Sequence, residues 1–169
     1  MKNIILTIIL SCITVNVFAA DEGEVAPNFS ATLFSGQQIN NNTYQNQVLL
    51  INFWASWCDP CREELPAIAE YEKKHFKEGF RVLTVSMDDK TDLLKAQNFI
   101  KQFGFDNTSI HYSDFQSFGR VWRIPLSYLI DQDGRIVKAD WFTNDGFTTN
   151  VLEENITPLI NKINAKEKQ

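Results

Sequence analysis

The hydrophobic pattern of the chain pivots on Val48–Trp54, which reads VLLINFW and is apolar at every position except Asn52. A run of this length without alternation fits a central strand covered on both faces. After it, apolar residues recur at Leu65, Ile68, Ala69, Tyr71 and Phe76, which predicts an amphipathic helix over residues 61–77. Pro66 lies inside that helix and is expected to kink it, because proline removes a backbone hydrogen bond. Gly79 stops the helix, and Phe80–Ser86 (FRVLTVS) reads as the next strand.

On either side the pattern is shorter-ranged. Residues 26–34 read as an extended strand, Ser35-Gly36-Gln37 as a turn and Gln38-Ile39 as a return strand. The asparagine-rich Asn40-Asn41-Asn42-Thr43-Tyr44 is a loop or a short helical turn. Asp88-Asp89-Lys90-Thr91 offers capping residues for a helix through Phe103, with Leu94, Phe99, Ile100 and Phe103 facing inward. A short strand is expected over 110–113 and one or two helical turns over 114–120. A strand over 126–131 then enters the Asp131-Gln132-Asp133-Gly134 hairpin turn and returns over 135–141. A polar turn at 144–146 leads to a last helix over 148–165, interrupted by Pro158. Strands alternating with helices, then a hairpin and a closing helix, predict a three-layer α/β fold with a mixed sheet.

The first residues follow another rule. Lys2 gives a basic start, residues 4–13 are almost unbroken in apolar character, and Val17-Phe18-Ala19 fits a small-residue cleavage site. The expectation is a signal peptide over 1–19 and one domain over 20–169. A membrane span needs about 20 apolar residues, so cleavage is preferred over retention as an anchor. Ile9-Leu10-Ser11-Cys12 is a weak lipoprotein box inside the same segment.

Composition narrows the picture further. The 169 residues are 44% apolar and include 13 Phe, enough for one sizeable core. A net charge of −5 gives no support to nucleic-acid binding. Of three cysteines, Cys12 leaves with the signal, so the exported chain holds only Cys58 and Cys61. Such a chain cannot mispair internally.

Those two cysteines carry the candidate chemistry. Trp57-Cys58-Asp59-Pro60-Cys61 ends the apolar run and opens a helix, where unpaired N–H groups and the helix dipole favour a thiolate at Cys58. Such positions lower a thiol pKa from about 8.5 into a range of roughly 3.5–7.5. Pro60 suits an early helical position, because its missing N–H would be unpaired there. Cys58 is expected to be the accessible, attacking sulfur and Cys61 the buried one. A zinc site needs two further ligands, and His75 and His111 stand at no ligand-like spacing, so no metal is expected. A purely structural disulfide is disfavoured, since closing so short a loop removes little unfolded-state entropy.

The stretch Phe53-Trp54-Ala55-Ser56-Trp57-Cys58-Asp59-Pro60-Cys61-Arg62-Glu63-Glu64-Leu65-Pro66 resembles the signature of the exported thioredoxin-like reductases, the group of TlpA, ResA and CcmG. Ala26-Pro27-Asn28-Phe29 matches the start of that group's N-terminal hairpin, and Ile124-Pro125-Leu126-Ser127-Tyr128-Leu129-Ile130-Asp131-Gln132-Asp133-Gly134 its cis-proline loop, strand and hairpin. The resemblance implies a thioredoxin-like three-layer fold whose central mixed sheet carries an added N-terminal β-hairpin. It implies a periplasmic thiol-disulfide oxidoreductase of the reducing kind, with no cofactor beyond a redox-active Cys58–Cys61 disulfide. Its substrates would be disulfides of exported proteins such as apocytochrome c, and its electron donor a membrane protein of the DsbD or CcdA type. A monomer is expected.

Residue by residue, the resemblance puts Asn52 where thioredoxin has a buried Asp, and an Asn cannot be the general base. Glu64 matches the glutamate that such reductases place under the active site, where it could take the proton of Cys61. Pro125 matches the cis-proline, and Ile124 would offer its backbone to the substrate. Trp57, Asp59 and Pro60 on the active-site turn complete the expected substrate-contacting set. Leu126 stands where the group often has Thr, which bears on substrate preference and not on chemistry. Three rivals remain on the same fold: a thiol oxidase, a disulfide isomerase, and a non-catalytic binding module. The reduction potential separates the first from the reductase, because C-x-x-C proteins span about −270 to −120 mV.

Overall fold

The computed structural model describes residues 20–144 and 146–166. The expected signal segment, and Asp145 of the expected 144–146 turn, lie outside them. Five strands form the main sheet: β3 (Val48–Trp54), β4 (Phe80–Ser86), β5 (Asp106–Ser109), β7 (Leu126–Ile130) and β8 (Ile136–Trp141). Their order is β5-β4-β3-β7-β8; β3, β4 and β5 run parallel, while β7 and β8 are antiparallel. A smaller sheet holds the N-terminal hairpin, β1 (Ser30–Thr32) and β2 (Gln38–Asn40), with β6 (Ser113–Asp114) on the other edge of β1. The helices are α1 (Asp59–His75), α2 (Leu93–Ile100) and α3 (Thr149–Lys166). Among the described residues no helix is long and apolar enough to cross a membrane.

The central run behaves as its pattern demands. All seven residues of β3 are buried, and its alternation divides them between two cores. Val48, Leu50 and Trp54 pack under the helices with Leu65, Ile68, Ile100, Leu152 and Ile156. Leu49, Ile51 and Phe53 pack on the other side with Phe29, Ala31 and Ile39 of the hairpin region and with Phe115 and Phe118. The three layers are therefore helices, main sheet, and hairpin sheet with its adjoining short helical turns. Asn52 points to the helix side, where its amide meets the buried Glu64 carboxylate.

Several expectations shift. Helix α1 begins at Asp59, two residues earlier than expected, and runs through Pro66 as one helix. Both Pro66 and Arg62, whose carbonyl would lose its partner there, are exposed, so water can satisfy that carbonyl. The helix after β4 starts only at Leu93, and Asp88 does not cap it. The phase shifts with the start: Leu94, expected inward, is 69% exposed, while Leu93, Ala96 and Ile100 are buried. The strand expected over 110–113 is a 3-10 turn at Ile110–Tyr112, and the real edge strand β5 precedes it. β5 reads DNTS, too polar for an apolar pattern; the Thr108 hydroxyl donates to the Thr32 carbonyl at 2.7 Å and ties the two sheets together. The extended segment over 26–34 is a strand only at Ser30–Thr32.

Candidate active site

β3 delivers the chain to a turn in which the Cys58 N–H donates to the Ala55 carbonyl at 3.1 Å, and α1 starts directly after it. Cys58 is the N-cap, and Pro60 occupies the first turn. Cys58 and Cys61 are joined as a disulfide with their Cα atoms 5.3 Å apart. The Cys61 N–H donates to Cys58 Sγ at 3.3 Å, a bond that would strengthen if the sulfur were anionic. Cys58 keeps 6% of its surface and Cys61 none, so the order of accessibility is as expected but even the outer sulfur is well covered.

Glu64 lies one helical turn beyond Cys61 and is buried. Its Oε1 accepts from Asn52 Nδ2 at 2.8 Å, and Asn52 Nδ2 also donates to Ser127 Oγ at 3.0 Å. Burial pushes the Glu64 carboxyl up to about 7, against the opposing pull of the bonds from Asn52 and from the Phe147 backbone. Gly146 takes the left-handed φ of +68° where the chain passes Glu64, a backbone conformation that favours glycine. Asn52 Oδ1 is buried without a partner, so the amide is held by its donor side alone.

The Ile124–Pro125 bond is cis. Together with Pro60, Glu64, Phe142 and Phe147 these two residues line a cleft of about 710 Å³. The structure thus brings Pro60, Glu64, Ile124 and Pro125 to one opening. Trp57 and Asp59 do not line it. Trp57 stands 62% exposed beside it in sequence, and Asp59 faces solvent in an i,i+3 pair with Arg62 at 3.3 Å. Trp54, by contrast, is fully buried core.

Three features escaped the sequence. Arg123, next to the cis bond, lies between the rings of Trp122 (4.6 Å) and Phe142 (4.7 Å) and donates to the Asp140 carbonyl at 3.0 Å. Nothing in linear spacing pairs residue 123 with residue 142. Phe147, just past the expected 144–146 polar turn, bonds to the Glu64 carboxyl through its backbone. Asp88, expected as a helix cap, is fully buried beside Ser56. The equal length of the VLLINFW and FRVLTVS runs was the available signal: paired in parallel from their first residues, they place 56 opposite 88. Among the described residues no group of three or more His, Cys, Asp or Glu side chains could hold a metal ion.

The chain matches the model of the AhpC/TSA family over residues 23–139. It is 31% identical to the thiol-disulfide oxidoreductase ResA of Bacillus anthracis over 118 residues, 69% of this chain and 67% of that one. The ResA of Bacillus subtilis strain 168 is 31% identical over 121 residues, 70% of this chain and 66% of that one. Among solved structures, a Chlorobium tepidum protein provisionally assigned as the thiol:disulfide interchange protein DsbE superposes with a TM-score of 0.67 at 28% identity, covering 84% of this chain and 99% of its own.

Proposed function

The chain belongs to the AhpC/TSA family and is a thiol-disulfide oxidoreductase of thioredoxin-like fold; from that premise we propose that it runs in the reducing direction, on exported proteins outside the cytoplasm. Its substrates are disulfide-containing proteins, and its redox group is its own cysteine pair. Cys58, as thiolate, attacks one sulfur of the substrate disulfide and expels the other as a thiolate, which takes up a proton. Cys61 then gives its proton to the Glu64 carboxylate and attacks Cys58 Sγ. The Cys58–Cys61 disulfide forms and the second substrate thiol is released. Two electrons pass from the pair to the substrate.

Ile124 and cis-Pro125 form the wall against which the substrate backbone lies, with Trp57, Asp59 and Pro60 on the facing turn. Residues 1–19 act as a cleaved signal, residues 20–169 as a monomeric periplasmic domain, and a membrane thiol donor of the DsbD or CcdA type returns the electrons. Oxidised apocytochrome c, whose C-x-x-C-H thiols must be free before haem attachment, is the substrate of choice.

The observation that carries this reading is Glu64, a buried carboxyl raised to about 7, one turn from Cys61 and open to the cleft of cis-Pro125. The test uses a C-x-x-C-H peptide in its disulfide form. Reduced wild-type protein should convert it to dithiol, and Cys61→Ser should stop at a mixed disulfide through Cys58. Net oxidation of the dithiol peptide, with a potential above roughly −150 mV, would overturn the direction.

A further inference from the structure

Asp88 has no exposed surface, and the mechanism above gives it no task. β3 and β4 run in parallel register with Trp54 opposite Ser86, so Ser56 and Asp88 leave the sheet side by side. The Asp88 carboxylate accepts the Ser56 N–H at 2.9 Å, the Ser56 hydroxyl at 2.6 Å and the Ser86 hydroxyl at 2.8 Å. Ser86 Oγ in turn accepts the Asp88 N–H at 3.1 Å, and His111 Nε2 lies 3.1 Å from the Asp88 carbonyl oxygen. A carboxyl group surrounded by donors and donating nothing has the pattern of an anion. Among the described residues no lysine or arginine forms an ion pair with it. Ser56 stands two residues before Cys58, so their Cα atoms are at most about 7.6 Å apart. The Asp88 carboxylate is thus tied to the chain two residues from Cys58, and a buried charge is screened far less than an exposed one.

We propose that Asp88 is a positioning residue of the dithiol: through Ser56 it fixes the turn that presents Cys58, and its buried charge opposes the Cys58 thiolate. The inference rests on the reading of Cys58–Cys61 as a working redox couple and supplies that couple with a cause for its direction. The helix start favours the thiolate; Asp88 acts against it. The thiolate exists only in the reduced form, so opposing it favours the disulfide and makes the pair a better reductant. Other titratable groups near the turn are Glu64 from α1, the surface pair Asp59 and Arg62, and His111, whose ring nitrogen meets the Asp88 backbone carbonyl.

The test compares the purified wild-type protein with Asp88→Asn. The amide oxygen still accepts the Ser56 N–H, so the anchor stays and the charge goes. The Cys58 pKa in the reduced protein should fall by about one unit, seen as an up to tenfold faster alkylation below that pKa. In the exchange of protein disulfide and two glutathione thiols for protein dithiol and glutathione disulfide, the equilibrium should move up to tenfold toward dithiol, about 30 mV. Ser86→Ala keeps the charge and removes one donor that neutralises it, so the Cys58 pKa should rise. An Asp88→Asn protein that titrates and equilibrates like wild type, whatever its melting temperature, overturns the proposal. Should that variant not fold, an unchanged Cys58 pKa in Ser86→Ala overturns it instead. A wild type that fails to exchange with glutathione at all defeats the proposed function, while the alkylation comparison still decides the role of Asp88.

Discussion

Helix α1 buries two glutamates, Glu64 near its start and Glu72 two turns later, about 12 Å further along. Each is pushed up to about 7, and for each the largest cause is burial. Their surroundings differ. Glu64 is held by an amide donor, Asn52, and opens on the cleft lined by Pro60, Ile124 and cis-Pro125. Glu72 accepts the Val82 N–H at 2.7 Å. That N–H lies on β4 just before the β5 pairing begins at Leu83, so Glu72 finishes a sheet edge that no strand covers. A perturbed carboxyl is thus a functional signal only together with something to exchange its proton with. Glu64 has Cys61 one turn away; Glu72 has the Val82 amide as its hydrogen-bond donor, with Asp106 and Arg81 acting on it through their charge.

The first test of the two glutamates is kinetic. Glu64→Gln should slow release of reduced substrate from the mixed disulfide by about tenfold to a hundredfold, the range of a lost proton acceptor. Glu72→Gln should stay within about twofold of wild type. Stopped-flow measurement of substrate release separates the two, and equal slowing by both variants would dissolve the distinction.

The second is thermodynamic, and here the two sites should behave alike. Below about pH 4.5 both carboxyls are protonated in the folded and the unfolded chain, and neither affects stability. As the pH rises from there through 7, the unfolded chain gives up protons that the folded one retains, so stability falls and the full penalty stands above about pH 7. Either glutamine variant should therefore be more stable than wild type at pH 8, by about 1–3 kcal/mol, with the gain vanishing near pH 4. Denaturant titrations at the two pH values check it; a gain that persists at pH 4 would point to packing and not to charge.

A smaller effect is expected at Gly146. A side chain at φ +68° is strained by about 1 kcal/mol, and its Cβ would stand in ordinary contact with Glu64, 3.6 Å from the Glu64 Cβ. Gly146→Ala should lower stability by about that much and alter the Glu64 titration, while leaving that of Glu72 unchanged. Carboxyl chemical shifts followed against pH report both groups in one experiment.

Much of this was legible in the chain. The VLLINFW run is continuous, and its burial on both faces follows from that. The C-x-x-C at the end of a strand and the Asp-Gln-Asp-Gly turn are local signals and appear where the spacing puts them; the helical spacing between them holds for Leu65, Ile68 and Tyr71, while Phe76 falls just past the helix end and is half exposed. What escaped is non-local or carried by polar atoms. β5 is held by hydroxyl and backbone bonds, so no apolar pattern marks it. Asp88 sits in a run of capping residues and reads as one, until the parallel register of β3 and β4 brings it to Ser56. Glu64 follows from a resemblance at its position; its partners Asn52 and Phe147, and Ser127 behind Asn52, come from three separate parts of the chain and have no linear signature.

The central claim is that Glu64 and the cysteine pair share their protons. The measurement that meets it most directly is the rate of Cys58 alkylation in the reduced protein, followed from pH 4 to 10 in wild type, Glu64→Gln and Glu72→Gln. Two coupled steps are expected in wild type, a single step in Glu64→Gln, and a Glu72→Gln curve that overlays wild type. A Glu64→Gln curve identical to wild type would contradict it, and the Cys61 proton would then leave by a route that does not pass through Glu64.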